Sequence, residues 1–416
     1  MGATLRQEAT TGRSPRTNPL TRSTAGVIGL WVLGALIVVC VGSLPWTLGR
    51  AGADPFGRPL PARYKHGDLS GYLLPPSWAG MSESERERRE AVATRRAEER
   101  LIRAEVDRLR SEVFPADWGR LDDAARGDWL AGARPERAST ARALLSGALP
   151  VGVVVRAPTA EEVAAARPFH LLGTDKLGRD LLVRCLAGGG VSIGIGLAAA
   201  LMSVVIGTLY GALAGYAGGR VDALMMRAVD VLYGLPYLLF VVLLAVAGDS
   251  VIGGIEARTE RELSEGVRTA LEVLILLGAI GGLSWLTMSR VIRGQVLSLK
   301  AQPFMEAARA MGVPVWRQFV RHLLPNLLGP IIVYATLTVP QAILQESFLS
   351  FLGIGVRPPL PSWGNLASDG LGELNPVRFR LWLLVAPSVL LGVTLLALNF
   401  VGEGLREAFD PRRAKR

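Results

Sequence analysis

The residue types that most often carry chemistry are sparse in this chain and widely spaced. His66, His170 and His322 lie too far apart for the ligand spacing of a metal site. Cys40 and Cys185 are too few for a disulfide framework. No lysine follows a glycine, so the chain lacks the Gly-Lys-Ser/Thr of a phosphate-binding P-loop. The sequence therefore predicts no catalytic centre, no metal site and no cofactor bound by this chain, and any ATP would be bound by another subunit.

The most informative polar stretch is residues 294–325, which is too polar to cross a membrane. Glu306–Met311 favours a helix, and Gly312 can end that helix in the left-handed conformation. Pro314 suits the first turn of a second helix, whose apolar face begins at Val315 and whose surface part we expect to end at Pro325. Such a bent element is suited to docking in a groove of another protein. The alternative is an amphipathic helix that lies on lipid.

Polar residues inside apolar blocks are costly in a membrane and are therefore candidates for a transport pathway. Gln341 and Gln345 are four residues apart and share a helix face, and Glu346 is adjacent. Glu346 either borders the pathway or is hydrated at the outer membrane interface. Arg227 and Asp230 are three residues apart in another block and are expected to pair with each other.

A second spaced pattern consists of glycines. Gly207, Gly211, Gly215 and Gly219 stand four residues apart and would share one helix face. Glycine lets two helix backbones approach closely in lipid, where burying oily side chains gives no advantage. The pattern predicts a helix-packing seam.

The elements that must position these residues are apolar blocks. The chain of 416 residues is 50% hydrophobic and 20% charged, but the two kinds are unevenly distributed. A helix rises 1.5 Å per residue, so about 20 apolar residues cross the hydrocarbon core. Six blocks predict an all-α polytopic membrane protein. They are residues 25–48, 188–216, 223–248, 270–285, 326–352 and 381–402. The first block exceeds the ~7–15 residues of a signal-peptide core, which favours a retained helix.

The charges predict the topology. The net charge is +10, and arginines cluster at the ends of the apolar blocks rather than in a basic, aromatic-rich stretch, so nucleic-acid binding is not expected. Six spans place both termini on one side together with residues 290–321, which are rich in arginine, whereas the acidic loop 249–269 falls on the other side. The positive-inside rule then places both termini in the cytoplasm.

Residues 49–169 form a charged insertion that this topology places outside the cytoplasm. A capping box at Ser82 and Pro115 predict the limits of a long amphipathic helix. The apolar stripe of this helix contains Ile102, Val106, Leu109 and Val113. A shorter helix around Arg120–Leu130 and one strand at Val151–Val155 are also expected. The insertion has no catalytic constellation, so it is interpreted as a structural or docking module.

The polar stretch resembles a known family motif. It is similar to the EAA loop of bacterial ABC importer permeases, with histidine at position 322 where that pattern has isoleucine. The matching residues are Glu306, Ala307, Ala308, Gly312, Leu324 and Pro325. In that family the loop is the coupling helix that docks on the ATPase subunit. The resemblance therefore implies an ATPase-coupling role for these residues.

A second motif resembles the signature of the C-type permeases for dipeptides, oligopeptides and nickel, with Leu171 in place of its proline. It consists of His170, Gly173, Thr174, Asp175, Gly178, Arg179 and Asp180. By the predicted topology it lies on the outer face. It is interpreted as a polar turn that caps the second span, with a role near the pathway entrance or the partner permease as the alternative. Further similar segments are residues 214–222, 347–353, 361–364 and 402–411.

The resemblance implies a type I ABC importer permease fold with its core at residues 187–404 and cytoplasmic tails at 1–24 and 405–416. It implies a bacterial inner-membrane location and several partners: a second permease in a heterodimer, ATP-binding subunits that carry MgATP, an extracytoplasmic solute-binding protein, and membrane lipid. Peptides are the favoured cargo and nickel is the alternative. An ATP-independent transporter and a membrane sensor are further alternatives. The resemblance does not extend to the insertion.

Overall fold

Long helices dominate the fold. The computed structural model of the chain describes residues 24–259, 262–375 and 378–409. Within these ranges six helices are long and apolar enough to cross a membrane. They are Thr24–Thr47, Leu181–Ala217, Tyr237–Arg258, Glu265–Lys300, Val315–Phe351 and Leu381–Ala408. This confirms the prediction of an all-α polytopic membrane protein. The basic N-terminal tail and the last residues of the C-terminal tail lie outside the described residues.

The first span and the insertion contain six α-helices. They are α1 (Thr24–Gly42), α2 (Leu44–Thr47), α3 (Glu83–Val113), α4 (Asp123–Gly132), α5 (Pro135–Ser146) and α6 (Ala160–Ala165). The long helix α3 has the predicted capping box at Ser82 and is followed by an extended residue before Pro115. Its apolar stripe is buried, with Val106 and Leu109 packed beside Leu144 of α5. Residues 151–159 have no regular structure, so the predicted strand at Val151–Val155 is wrong.

The rest of the bundle follows in chain order. It comprises α7 (Leu181–Ala217), α8 (Gly219–Tyr233), α9 (Tyr237–Thr259), α10 (Glu265–Lys300), α11 (Pro303–Ala310), α12 (Val315–Gln318), a π-helical turn (Phe319–Leu323), α13 (Leu324–Phe351), α14 (Trp363–Leu371) and α15 (Leu381–Phe409). Two short strands, β1 (Leu374–Asn375) and β2 (Arg378–Phe379), pair in an antiparallel hairpin.

Three predicted boundaries are corrected. The third apolar block is broken at residues 234–236, because Pro236 has no N–H to continue the hydrogen bonds of a helix. The acidic stretch 249–269 is mostly helical, since α9 extends to Thr259 and α10 begins at Glu265. The connection 353–380, between the fifth and sixth apolar blocks, contains α14, whose first turn is capped by Ser362.

Helix α7 lies at the centre and packs along α10. The two helices run parallel, since residue numbers increase in the same direction along the contacting faces of α7 and α10. A Cβ at Gly207 would lie 2.6 Å from Met288 Cβ, and one at Gly215 would lie 3.0 Å from the Arg293 carbonyl oxygen. A Cβ at Gly211 would overlap the Ser289 carbonyl group. The seam therefore uses three of the predicted glycines.

Gly219 is the exception in the glycine pattern. It follows Gly218 in the sharp turn between α7 and α8, where both residues have positive φ values, +67° and +55°. A Cβ at Gly219 would meet no atom within 4 Å. Its assignment to the packing seam is wrong, because α7 ends at Ala217, two residues after Gly215, and the fourth glycine lies in the turn between α7 and α8.

The two ends of the bundle are distinct. The insertion end carries residues 48–180, the start of α10 and α14, and the opposite end carries the α7–α8 turn and residues 300–325. Lys65 of the insertion binds Glu265 at the start of α10, with Nζ 2.6 Å from Oε1. The insertion is thus joined to the bundle directly, and the alternation of the six helices places the two motifs of the sequence at opposite ends.

Candidate functional site

The bent element at the opposite end is built as a helix, a tight turn and a second helix. Gly312 ends α11 with φ +70°, and Val313 N donates to Ala308 O over 3.0 Å. The second helix is continuous from Val315 through the π-helical turn into the fifth span. Pro325 lies in the first turn of α13 and ends no helix, which corrects the predicted boundary. A proline is tolerated there because α13 continues from a wider π turn.

The bent element buries one side and exposes the other. Met305 and Ala308 of α11 are buried against the bundle, whereas Glu306 and Ala307 are exposed. Three large apolar side chains also point outward: Met311 and Trp316 are each 74% exposed and Val315 is 57% exposed. Val315 therefore points away from the buried Leu323, although the sequence predicts that both share one apolar face. The set Phe304, Glu306, Met311, Val315 and Trp316 is called the turn surface below.

The remaining residues of the motif that resembles the EAA loop are not part of the turn surface. Gly312 and Pro325 are exposed, Leu324 is partly buried, and Leu323 beside it is fully buried. Sequence reasoning missed Met311 and Trp316, because an apolar residue in an amphipathic stretch is ordinarily assigned to the buried face. Their positions on either side of the Gly312 turn are the signal that could have identified them.

Polar contacts tie the bent element to the bundle. Tyr216 Oη of α7 donates to Gln318 Oε1 over 3.0 Å, and Gln318 Nε2 donates to Val313 O over 2.6 Å. Lys300 Nζ donates to the carbonyl oxygens of Gly215 and Tyr216 over 3.1 and 2.6 Å. The turn and the end of α7 are therefore joined, so that a displacement of one is transmitted to the other.

Two ion pairs connect α8 to α10 beside this junction. Arg293 contacts both carboxylate oxygens of Asp222, at 2.5 and 2.6 Å. The hydrogen bonds from Arg293 lower the pKa of the Asp222 carboxyl below its usual value. Asp230 pairs with Arg290 over 2.7 Å. The predicted pairing of Asp230 with Arg227 is wrong, because the α8 face that carries Asp230 lies against α10.

A cavity of about 400 Å³ lies between the α8–α9 break, α10 and α13. Its polar lining includes Tyr237, Ser284, Thr287, Thr338, Gln341 and Gln345. Tyr237 Oη donates to Gln345 Oε1 over 2.7 Å, which joins α9 to α13 across the cavity. The structure thus brings the two predicted glutamines together in one concave site. No charged side chain lines the cavity in the part of the chain that the structure describes.

Glu346 lies outside this cavity. Its side chain is fully buried, and its carboxylate accepts hydrogen bonds from Ser350 Oγ at 2.7 Å and Ser347 Oγ at 3.2 Å. Hydration at the outer interface, one of the two interpretations of Glu346, is therefore wrong. The burial of Glu346 could not be predicted from its position along the span, because it arises where α14 and α7 cover the face of α13 that carries Glu346.

The second motif, residues 170–180, is called the outer motif below. It forms a buried ion cluster and a helix cap at the insertion end. Asp175 Oδ2 accepts from Arg179 Nε over 2.7 Å and from Arg184 Nη1 over 2.6 Å. Asp180 caps α7 through Val183 N, and its Oδ2 lies 2.6 Å from His170 Nδ1. Sequence reasoning missed Arg184, which is 1% exposed and lies in the first turn of a span.

The other residues of the outer motif shape its backbone. Thr174 Oγ1 donates to Gly71 O over 2.6 Å and accepts from Leu74 N over 2.7 Å, which joins the motif to the insertion. Gly173 and Gly178 have φ values of +81° and +68°, in the region that favours glycine. This geometry matches the interpretation as a polar turn and cap.

Comparison with known proteins gives a consistent result. Residues 190–415 match the family model described as "Binding-protein-dependent transport system inner membrane component". The chain is 47% identical over 243 residues to the oligopeptide transport system permease protein OppC of Escherichia coli, covering 58% of this chain and 72% of that protein. It is 44% identical over 244 residues to OppC of Haemophilus influenzae, covering 59% and 71%.

One further relative and one solved structure complete the comparison. The dipeptide transport system permease protein DppC of Bacillus subtilis is 41% identical over 259 residues, covering 62% of this chain and 74% of that protein. A solved chain of the MetNI methionine ABC transporter covers 55% of this chain at 16% identity with a TM-score of 0.41, a likeness too low to bear on the fold.

Proposed function

Because the chain belongs to the family of binding-protein-dependent transport system inner membrane components, we propose that it is a permease subunit of an ATP-driven peptide importer. It forms half of the translocation pathway and is a transport component. The observation that carries this is the identity of 41–47% to permeases named for oligopeptides and dipeptides. Those names favour peptides over nickel as cargo.

The turn surface is proposed as the docking site for an ATP-binding subunit, which would carry the MgATP. Exposed apolar groups on one surface are typical of a protein contact. Met311 and Trp316 provide such groups, and Glu306 adds a negative charge beside them. The buried contacts of Met305 and Ala308 hold the surface in place. A helix on lipid would need its apolar side chains on one continuous face, whereas here they flank a left-handed turn.

Docking at the turn surface would drive alternating access through the contacts already described. Motion of α11 would pass to the end of α7 through Lys300 and Gln318. The Asp222–Arg293 pair would carry it to α8. Because α7 and α10 are locked along the glycine seam, they would tilt as one body and change access to the cavity.

The turn surface is proposed to face the cytoplasm, together with both chain termini. The positive-inside rule supports this orientation. Basic residues at the opposite end of the bundle include Arg290, Arg293, Lys300, Arg309, Arg317 and Arg321. The insertion end then faces outward, where a solute-binding protein would deliver cargo. The second permease would complete a heterodimer, and α9 offers exposed apolar residues such as Leu239 and Leu243 for that contact or for lipid.

The experiment is co-purification of the chain with its ATP-binding subunits and measurement of ATP hydrolysis in nanodiscs with binding protein and peptide. Trp316→Ala and Glu306→Ala should weaken association and lower peptide-stimulated hydrolysis. Trp78→Ala is the matched control for association with the ATP-binding subunits, because Trp78 is 72% exposed at the insertion end against 74% for Trp316. Unchanged association in both turn-surface variants, or an equal loss in the control, would contradict the proposal.

A further inference from the structure

The cavity between α9, α10 and α13 is lined in part by neutral polar side chains of membrane-spanning helices. Its lining comes from the middle of two spans, with Ser284 and Thr287 on α10 and Thr338, Gln341 and Gln345 on α13. Polar side chains at such positions are costly against lipid and ordinarily face a protein interior or a water-filled path. At about 400 Å³ the space lies in the range of small-ligand sites. The cavity is therefore a place where a polar solute can reside.

The polar groups of the lining are neutral and of both hydrogen-bonding kinds. The Ser284 and Thr338 hydroxyls donate to backbone carbonyl oxygens in their own helices and keep lone pairs that can accept. A glutamine amide offers a carbonyl oxygen and an NH₂ group. Gln345 uses its Oε1 to accept from Tyr237, which leaves its Nε2 group as a donor for a solute. These groups match the main chain of a peptide, which carries one donor and one acceptor on most residues.

One ion pair borders the cavity. The Arg290 guanidinium stacks on the ring of Tyr233, a lining residue, with 4.2 Å from Cζ to the ring centroid. Its charge is compensated by Asp230, 2.7 Å away. The ion pair therefore borders the cavity without imposing one sign of charge on it. A solute with a positive side chain and one with a negative side chain would meet the same lining.

We propose that this cavity is a transit site that binds the peptide main chain through neutral amide and hydroxyl groups and does not discriminate by side-chain charge. The proposal rests on the proposed function and deepens it. Selection among peptides by charge is left to the binding protein, and the permease passes cargo of either sign. One charged side chain placed in the lining is then sufficient to make the permease selective.

The test is ATP-dependent uptake into proteoliposomes that contain the complete complex and its binding protein. The probes are the tripeptides Ala-Lys-Ala, Ala-Glu-Ala and Ala-Ala-Ala. The measured quantity is the uptake ratio of the lysine to the glutamate peptide, relative to the wild-type ratio. This normalisation removes the preference of the binding protein, which is the same in every assay.

Gln345→Glu should raise the ratio roughly tenfold or more, and Gln345→Lys should lower it by a similar factor, because opposite charges attract strongly in a partly desolvated site. Gln345→Met is the matched neutral control, which should reduce uptake of all three peptides and leave the ratio unchanged. If a charge at position 345 prevents assembly, Gln341→Glu and Gln341→Lys make the same test one helical turn away.

Ratios that stay at the wild-type value in the charged variants, while uptake continues, would overturn the proposal and assign the cavity to lipid or to the partner permease. The proposal would also be overturned if the wild-type uptake ratio differed widely from the ratio of the binding protein's affinities for the lysine and glutamate peptides. Failure of the proposed function looks different, because the wild-type complex would then import none of the three peptides with ATP.

Discussion

The glycine seam between α7 and α10 gives a sharp prediction about packing. Replacing Gly207 by alanine would place a Cβ 2.6 Å from Met288 Cβ and 2.9 Å from the Trp285 carbonyl oxygen. Ordinary contact begins at 3.4 Å, so the helices must part by 3.4 − 2.6 = 0.8 Å, or Met288 must shift by that amount. Gly211→Ala is more severe, because the Cβ overlaps the backbone of Ser289, which cannot move alone.

The magnitude follows from the short range of dispersion. A gap of about 0.5–1 Å forfeits roughly a quarter to a half of the attraction of each contact. Overpacking of this kind costs about 1–3 kcal/mol of stability. We therefore expect Gly207→Ala to lower the free energy of unfolding by about 1–2 kcal/mol and Gly211→Ala to lower it by about 3 kcal/mol or more. Gly215→Ala should be milder than either, since its Cβ would lie 3.0 Å from its nearest neighbours.

Gly194→Ala is the matched control on the same helix. A Cβ at Gly194 meets no atom within 4 Å, and alanine is favoured over glycine inside a helix by roughly 0.5–1 kcal/mol. The same substitution should therefore be neutral or stabilising there. The assay is thermal unfolding of the purified chain in detergent, followed by peptide-stimulated ATP hydrolysis in the complex. Equal Tm values for the Gly211 and Gly194 variants would refute the reasoning.

Three further predictions concern polar groups and the turn. Asp222→Asn should lower the free energy of unfolding by about 1–3 kcal/mol, because Arg293 loses its charged acceptor. The pKa of Asp222 is lowered from its usual 3.8 in the folded chain. The difference in Tm between the variant and the wild type should therefore shrink as the pH falls below 3.8. Glu346→Ala should also lower the free energy of unfolding, by about 1–3 kcal/mol, because it leaves the buried Ser350 hydroxyl without its acceptor. An unchanged Tm would contradict this. Gly312→Ala places a side chain on a residue with φ +70°, which strains the turn by about 1–2 kcal/mol. This variant should reduce peptide-stimulated ATP hydrolysis. Gly312→Asn should reduce it less, because asparagine tolerates this conformation better.

Much of the architecture could be predicted from the sequence because its signals are local. The length of an apolar run decides whether a helix can cross a bilayer. Five of the six blocks lie within long helices, and the third block supplies the start of the remaining span after the break at Pro236. Ser82 begins α3 and Gly312 ends α11 through contacts within a few residues of themselves. The order of the motifs placed them at opposite ends of the bundle, since successive spans must alternate in direction.

Other features depended on which faces meet, and only the tertiary structure decided them. Spacing paired Arg227 with Asp230, but Asp230 meets Arg290 of another helix. Spacing also grouped Glu346 with Gln341 and Gln345, but α14 covers Glu346 while the glutamines open onto a cavity. The physical reason is that periodicity defines a face of a helix and carries no information about its neighbour. Burial, ion-pair partners and cavities arise from contacts between residues far apart in the chain, and these form only when the helices pack.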